Sequence, residues 1–171
     1  YKVTIMTAPF IPYDERPYRP CVGIFLINDS GMVFAGRRID SRAEAWQMPQ
    51  GGIDLGETPL QACLREMEEE IGTRKATVLH EINEWLNYDI PLPLAERLWH
   101  GQYKGQKQKW MLLRYDGSDA EININTAEPE FCEWKWLSPD RLIDLAVPFK
   151  RDVYRHVLDV FKTHIEKALV I

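Results

Sequence analysis

Residues 51–73 read GGIDLGETPLQACLREMEEEIGT. The spacing predicts a helix over 58–72, with Thr58 as N-cap, Pro59 in the first turn and Gly72 as the C-terminal stop. At ~100° per residue, Leu60, Leu64, Met67 and Ile71 fall within about 60° of one another and form the expected buried stripe. Glu66, Glu69 and Glu70 fall within about 100° on nearly the opposite side, and Glu68 points elsewhere. Glu66 and Glu70, four apart, should destabilise an isolated helix by about 0.2–0.5 kcal/mol. Arg65 is the one basic residue between Asp54 and Thr73, so the cations that normally lace an acidic helix face are missing. Three converging carboxylates suit a hard divalent cation, which prefers oxygen ligands.

Outward from this helix, CVGIFLI (21–27) is an apolar run expected as a buried strand. NDSG (28–31) is turn chemistry, and MVFAGRR (32–38) is the returning strand of a hairpin. A polar loop follows at 39–45, then WQMPQGG (46–52) as a short strand ended by a glycine pair. Further strands are expected at 77–85, 109–115 and 133–137, with an irregular stretch at 86–108. SPDRLIDL (138–145) reads as a short helix. From Lys150 on, Val153, Tyr154, Val157, Val160, Phe161 and Ile165 recur at helical spacing. This order predicts one α/β domain, a mixed sheet covered by a mid-chain helix and a C-terminal helix.

The 171 residues, 45% hydrophobic and 27% charged, have the composition of a globular protein. No apolar run approaches the ~20 residues that span a bilayer. Prolines interrupt residues 1–20, which do not read as a targeting peptide. Cys21, Cys63 and Cys132 form no pairing framework and are expected as reduced thiols of a cytoplasmic protein. A net charge of −5 argues against coating a long duplex, though a local cluster of cations suffices to grip one strand end or a nucleotide.

The spacing from Gly51 through Glu57, Arg65 and Glu66 to Gly72 resembles the Nudix box, with Thr73 standing where an aliphatic residue is usual. Outside the box, YRPCVGI (18–24), WQMPQGGI (46–53), GQKQKW (105–110), PEF (129–131) and VPFKRDVY (147–154) resemble the bacterial RNA pyrophosphohydrolases, also described as dinucleoside polyphosphate hydrolases. The resemblance implies a Nudix-type α/β/α sandwich over 18–171, with a lead at 1–17 of no assigned role. It implies Mg²⁺, with Mn²⁺ as a substitute and more than one ion per site, held by Gly51, Glu66, Glu69, Glu70 and Glu130. It further implies that Arg19 contacts phosphate, that Arg38 and Phe149 sandwich a base beside Val147 and Lys150, and that Gln106 touches phosphate or base with Lys107 or Lys109 beside it.

Such a site hydrolyses a phosphoanhydride, whose negative charges must be neutralised before water can attack. Glu66 is expected as general base, with Glu70 and Glu130 as rivals; Glu57 and Arg65 are grouped with the catalytic residues, Glu57 to orient Arg65 or a water behind the metals. The four histidines sit in no motif and are expected to be structural. The implied substrate is the RNA 5′-triphosphate end, cleaved to a monophosphate; the alternative is asymmetric cleavage of diadenosine tetraphosphate and its relatives. A binding module without catalysis should have lost box carboxylates, and all are present. An acidic protein-docking helix would need exposed apolar neighbours.

Overall fold

The computed structural model describes residues 9–40 and 45–169. At the centre of the sheet lies β1 (Tyr18–Ile27), buried from Cys21 onward. Its alternating side chains feed two cores. Val22, Ile24 and Leu26 join one, and Phe25 and Ile27 join the other. It pairs in parallel with β7 (Gly105–Tyr115) along its whole length, Tyr18 opposite Gly105 and Ile27 opposite Arg114. On its other edge it pairs antiparallel with β2 (Val33–Arg38) and β4 (Gln50–Gly52). The hairpin turn forms as expected, with the Asn28 side chain accepting from the amides of Ser30 and Met32, each at 3.0 Å. β3 (Trp46–Gln47) and β8 (Phe131–Leu137) join β2, while β5 (Ala76–Glu81) and β6 (Leu86–Asp89) join β7 antiparallel. The sheet is therefore mixed, as predicted.

β1, β7 and β8 each begin two to four residues before the expected start, and three further segments differ from expectation. WQMPQGG is two strands, because Pro49 has no amide to donate to a ladder, and the chain passes at Met48–Pro49 from β2 to β1. The strand expected at 77–85 ends at Glu81, after a bulge between Val78 and His80. The stretch 86–108 is ordered into β6, helix α2 (Leu92–Arg97), a 3₁₀ turn at Leu98–Gly101 and the first four residues of β7. The remaining helices, numbered below, follow the predicted order.

α1 (Pro59–Ile71) starts with a capping box, in which Thr58 accepts from the Gln61 amide (3.2 Å) and Gln61 accepts from the Thr58 amide (2.9 Å). It stops at Gly72 in the left-handed region, φ 76°. The buried set is Ala62, Cys63, Met67, Glu70 and Ile71. On the helix wheel this face is turned roughly 70° from the Leu60–Ile71 stripe expected above. Leu60 is 41% exposed and Leu64 is half-buried, whereas Glu70 is only 6% exposed. The expectation that all three site glutamates face away from the apolar side is thus corrected for Glu70. α1 contacts β1 and β4, and that contact draws its glutamate edge inward.

α3 (Pro139–Leu145) is capped by Ser138. α4 (Arg151–Leu169) covers the opposite side of the sheet with Val153, Tyr154, Val157, Phe161 and Ile165. Each large apolar side chain so buried contributes about 1.5–3 kcal/mol. The result is the expected α/β/α sandwich. The described part of the lead packs on it: Tyr13 donates to the Ile90 carbonyl (2.8 Å), and buried Arg16 donates to Glu96 (2.8 Å) and to the Ile11 carbonyl (2.8 Å). The expectations for residues 1–8 and for most of the polar loop at 39–45 concern positions outside the described residues. No helix among the described residues is long and apolar enough to cross a membrane.

Candidate active site

The turn between β4 and α1 sets the site. A Cβ on Gly51 would lie 1.9 Å from the Glu66 carboxyl carbon, so only glycine lets this backbone come so close to the α1 carboxylates. Arg65 clamps the turn from behind. Its Nε and Nη2 donate to the two Glu57 oxygens (both 2.8 Å), and Nη2 also donates to the Gly52 carbonyl (2.8 Å). Nη1 donates to Glu66 (2.9 Å) and reaches Glu69 (3.3 Å). Glu57 is correspondingly held down at about 2, chiefly by its Arg65 hydrogen bonds. The picture of three unpaired carboxylates is thereby corrected, since Glu66 and Glu69 share Arg65.

Glu70 has no such cation among the described residues and receives only a main-chain hydrogen bond from Gln50. Its Oε2 is buried, and no donor among the described residues reaches it. Burial, with the charges of Glu66 and Glu130 added, pushes its carboxyl well above the usual range. Burial also raises Glu66, against the pull of Arg65. Glu68, by contrast, pairs with Arg74 on the surface.

These groups open into a cleft of about 700 Å³. It brings together Gly51, Glu66, Glu69, Glu70 and Glu130 with Arg19, Arg38, Gln106, Val147, Phe149 and Lys150. Arg38 donates to both Asp40 oxygens (2.8 and 2.7 Å) and lies 3.6 Å from Glu130. Arg19 makes no ion pair among the described residues. Phe149 is half-buried, its ring 5.9 Å from that of Tyr88, so it serves the core as well as the cleft. Lys150 is buried, donates to Gln47 (3.1 Å), and is pushed down to about 8 by burial and by Arg38. Gln106 accepts from Tyr88 and Gln108 (both 2.9 Å), which leaves its amide N–H groups unused among the described residues.

Lys107 does not join them. Neighbouring residues on a strand face opposite sides, and while Gln106 lines the cleft, Lys107 lies over the Trp85 ring at 4.8 Å, as Lys109 does at 5.0 Å. Lys107 thus lies outside the cleft that gathers the other residues expected to meet substrate. Glu57 and Arg65 stand behind the cleft and do not line it. No histidine lines it either.

Sequence reasoning missed Tyr88, Ile90, Arg97 and Trp99, all cleft-lining residues from the stretch read as irregular. The alternation Leu86, Tyr88, Ile90 and the helix-starting prolines were the signals that could have found them.

Among the described residues, no three carboxylate, imidazole or thiolate groups meet in a closed coordination shell. Arg65 holds Glu66 and Glu69, and Arg38 lies 3.6 Å from Glu130, which leaves Glu70 as the fourth. The donors nonetheless fit a hard cation: all offer oxygen, one oxygen is buried without a partner, and the main chain approaches them at Gly51.

Residues 17–157 match the NUDIX domain. The chain is 52% identical over 151 residues to the RNA pyrophosphohydrolase of Roseobacter denitrificans, covering 87% of this chain and 94% of that protein. It is 58% identical over 142 residues to the RNA pyrophosphohydrolase of Rhodospirillum rubrum, covering 83% and 86%. Among solved structures, the fold is similar to the E. coli dihydroneopterin triphosphate pyrophosphohydrolase, with a TM-score of 0.63 at 20% identity, over 82% of this chain and 97% of that one. It is also similar to a C. elegans Ap4A hydrolase, with a TM-score of 0.58 at 17% identity, over 84% and 98%. With the box carboxylates gathered at the Gly51 turn and the domain match extending over most of its length, the chain belongs to the NUDIX family.

Proposed function

We propose that this protein hydrolyses the 5′-triphosphate end of RNA, removing pyrophosphate and leaving a 5′-monophosphate, a step that promotes RNA decay. The observation that carries the reading is Glu70, a buried carboxylate with an unpartnered oxygen beside Glu66 and Glu130 in an open cleft. The names of relatives about half identical in sequence support the substrate.

Gly51 through its carbonyl, and Glu66, Glu69, Glu70 and Glu130 through their carboxylates, would hold Mg²⁺ or Mn²⁺, with room for more than one ion. When bound, such ions neutralise phosphate charge and make water a better nucleophile. In the reaction, water oxygen bonds to a phosphorus of the anhydride. The P–O bond to the bridging oxygen breaks, and the departing phosphate keeps the electron pair. A carboxylate takes the water proton. Glu66 has one oxygen engaged by Arg65, so the free oxygen of Glu70 makes it the better acceptor. Arg65 and Glu57 position the turn. Arg19 holds a phosphate, and Gln106 donates to one. Arg38 and Phe149 stack a base, with Val147 and Lys150 at its edge, an arrangement that tolerates any base. The three free cysteines suit a reducing compartment, the cytoplasm.

Dinucleoside polyphosphates are the second reading, because the cleft is open and its stacking group does not require an RNA chain. Turnover of 5′-triphosphorylated RNA, diadenosine tetraphosphate and a nucleoside triphosphate should be compared in Mg²⁺, with the products identified. The highest kcat/KM is expected on RNA, with a 5′-monophosphate end as product. A preference for the nucleoside triphosphate, or no phosphate release from RNA, would overturn the reading.

A further inference from the structure

We propose that Trp99 is a second base platform in the cleft, taking the face of a second nucleobase on the same phosphate chain. The inference rests on the function proposed above and adds a subsite to it. Trp99 is half-buried and lines the cleft. With φ of 48° and 55°, Trp99 and His100 are the non-glycine residues in the left-handed region among the described residues. A bulky side chain is rarely found there, and such backbone persists only where its surroundings enforce it. The surroundings are present: the Tyr103 ring meets the indole edge-on at 5.8 Å, and the Arg19 guanidinium lies 5.2 Å from the indole centroid.

Arg19 links this ring to the chemistry. Its Nη2 would lie 2.4 Å from a Cβ on Gly52, so it packs on the turn that carries the carboxylates. A guanidinium can bind phosphate through its edge while its face rests on an aromatic ring. Trp99 is thereby fixed next to the phosphate chain. Arg97, exposed on the cleft and without an ion pair among the described residues, adds a cation two positions earlier.

Trp99 and Phe149 are separate faces. Phe149 meets Tyr88, whereas Trp99 meets Tyr103. A mononucleotide can occupy one of them. An RNA end and a dinucleoside polyphosphate both offer two bases, so a second nucleobase is the shared chemistry.

The test compares wild type, Trp99→Ala and Trp99→Phe on adenosine triphosphate, 5′-triphosphorylated ApA and diadenosine tetraphosphate. The ratio of kcat/KM for a two-base substrate to that for adenosine triphosphate should fall about 5- to 150-fold in Trp99→Ala and far less in Trp99→Phe. The two-base substrate that loses more identifies the source of the second base. Binding is read separately, as quenching of tryptophan fluorescence by 5′-monophosphorylated ApA. Part of that quenching should vanish in Trp99→Phe while affinity stays within a few-fold. An unchanged ratio in Trp99→Ala, an equal loss on all three substrates, or identical quenching in wild type and Trp99→Phe would overturn the proposal. If Trp99→Ala does not fold, the quenching comparison decides. If wild type cleaves neither two-base substrate, the proposed function fails, and the quenching comparison still judges Trp99.

Discussion

Glu70 sits where two demands oppose each other: α1 buries it, and a buried carboxylate without a cation is costly. Its folded value is raised above its unfolded one, so the folded protein binds the proton more tightly. In chelator, Glu70's contribution to stability should therefore be fully present below the usual carboxylate range and be lost as pH rises through the raised value. Glu70→Gln should flatten that slope and raise the metal-free melting temperature, and millimolar Mg²⁺ should raise it in wild type, as any ligand of the native state does. A scan of melting temperature against pH for both proteins, with and without Mg²⁺, checks both statements; parallel profiles of wild type and Glu70→Gln in chelator would contradict the first. The same relief is not expected from Glu66→Gln, because Arg65 already donates to Glu66 at 2.9 Å. Arg65→Lys should lose the paired hydrogen bonds to Glu57 and cost on the order of 2 kcal/mol, measurable by denaturant unfolding. The link from Glu57 to Arg65 was legible in the motif spacing. The burial of Glu70 was not, since a helix wheel ranks faces by hydrophobicity and cannot know which face the sheet claims.

That rotation belongs to the element scale. Leu60 looks as apolar as Met67 in sequence, yet Met67 is fully buried and Leu60 is 41% exposed. Met67→Ala should cost about 2–5 kcal/mol, whereas Leu60→Ala should stay within about 0.5 kcal/mol, the usual span for surface changes. Equal losses in chemical denaturation would mean that the predicted stripe, and not the observed one, is buried. The caps of α1, the first hairpin and both covering helices were readable because each rests on local chemistry: Thr58 and Pro59, the Asn28 turn, the apolar period of α4. The segment 86–108 was not readable as an ordered unit. Its elements are short, so the Leu86–Tyr88–Ile90 alternation and the helix-starting prolines each give only a weak local signal, and β6 gains its stability from pairing with β7. This segment supplies Trp99, Arg97 and Tyr88, so a whole wall of the cleft was missing from the sequence reading.

Across the whole molecule, β1 and β7 run in parallel and carry residues from distant parts of the chain to one place. Arg19 and Gln106, opposite each other in that register, both line the cleft, while α1 brings the carboxylates and the 147–150 turn brings Phe149 and Lys150. Although the net charge is −5, Arg19, Arg38, Arg97 and Lys150 stand among the carboxylates of the cleft and offer an anionic substrate local cations. Phe149→Ala should accordingly lower kcat/KM for RNA about 5- to 150-fold and leave inorganic tripolyphosphate, which has no base, little changed. The central claim is that the carboxylates converging on the Gly51 turn perform the hydrolysis, and a comparison of Glu70→Gln with Glu68→Gln on 5′-triphosphorylated RNA in saturating Mg²⁺ tests it most directly. Glu70→Gln should lose about 100-fold or more in kcat while Glu68→Gln, altered only at its surface pair with Arg74, stays near wild type. Equal activities of the two variants would contradict the account.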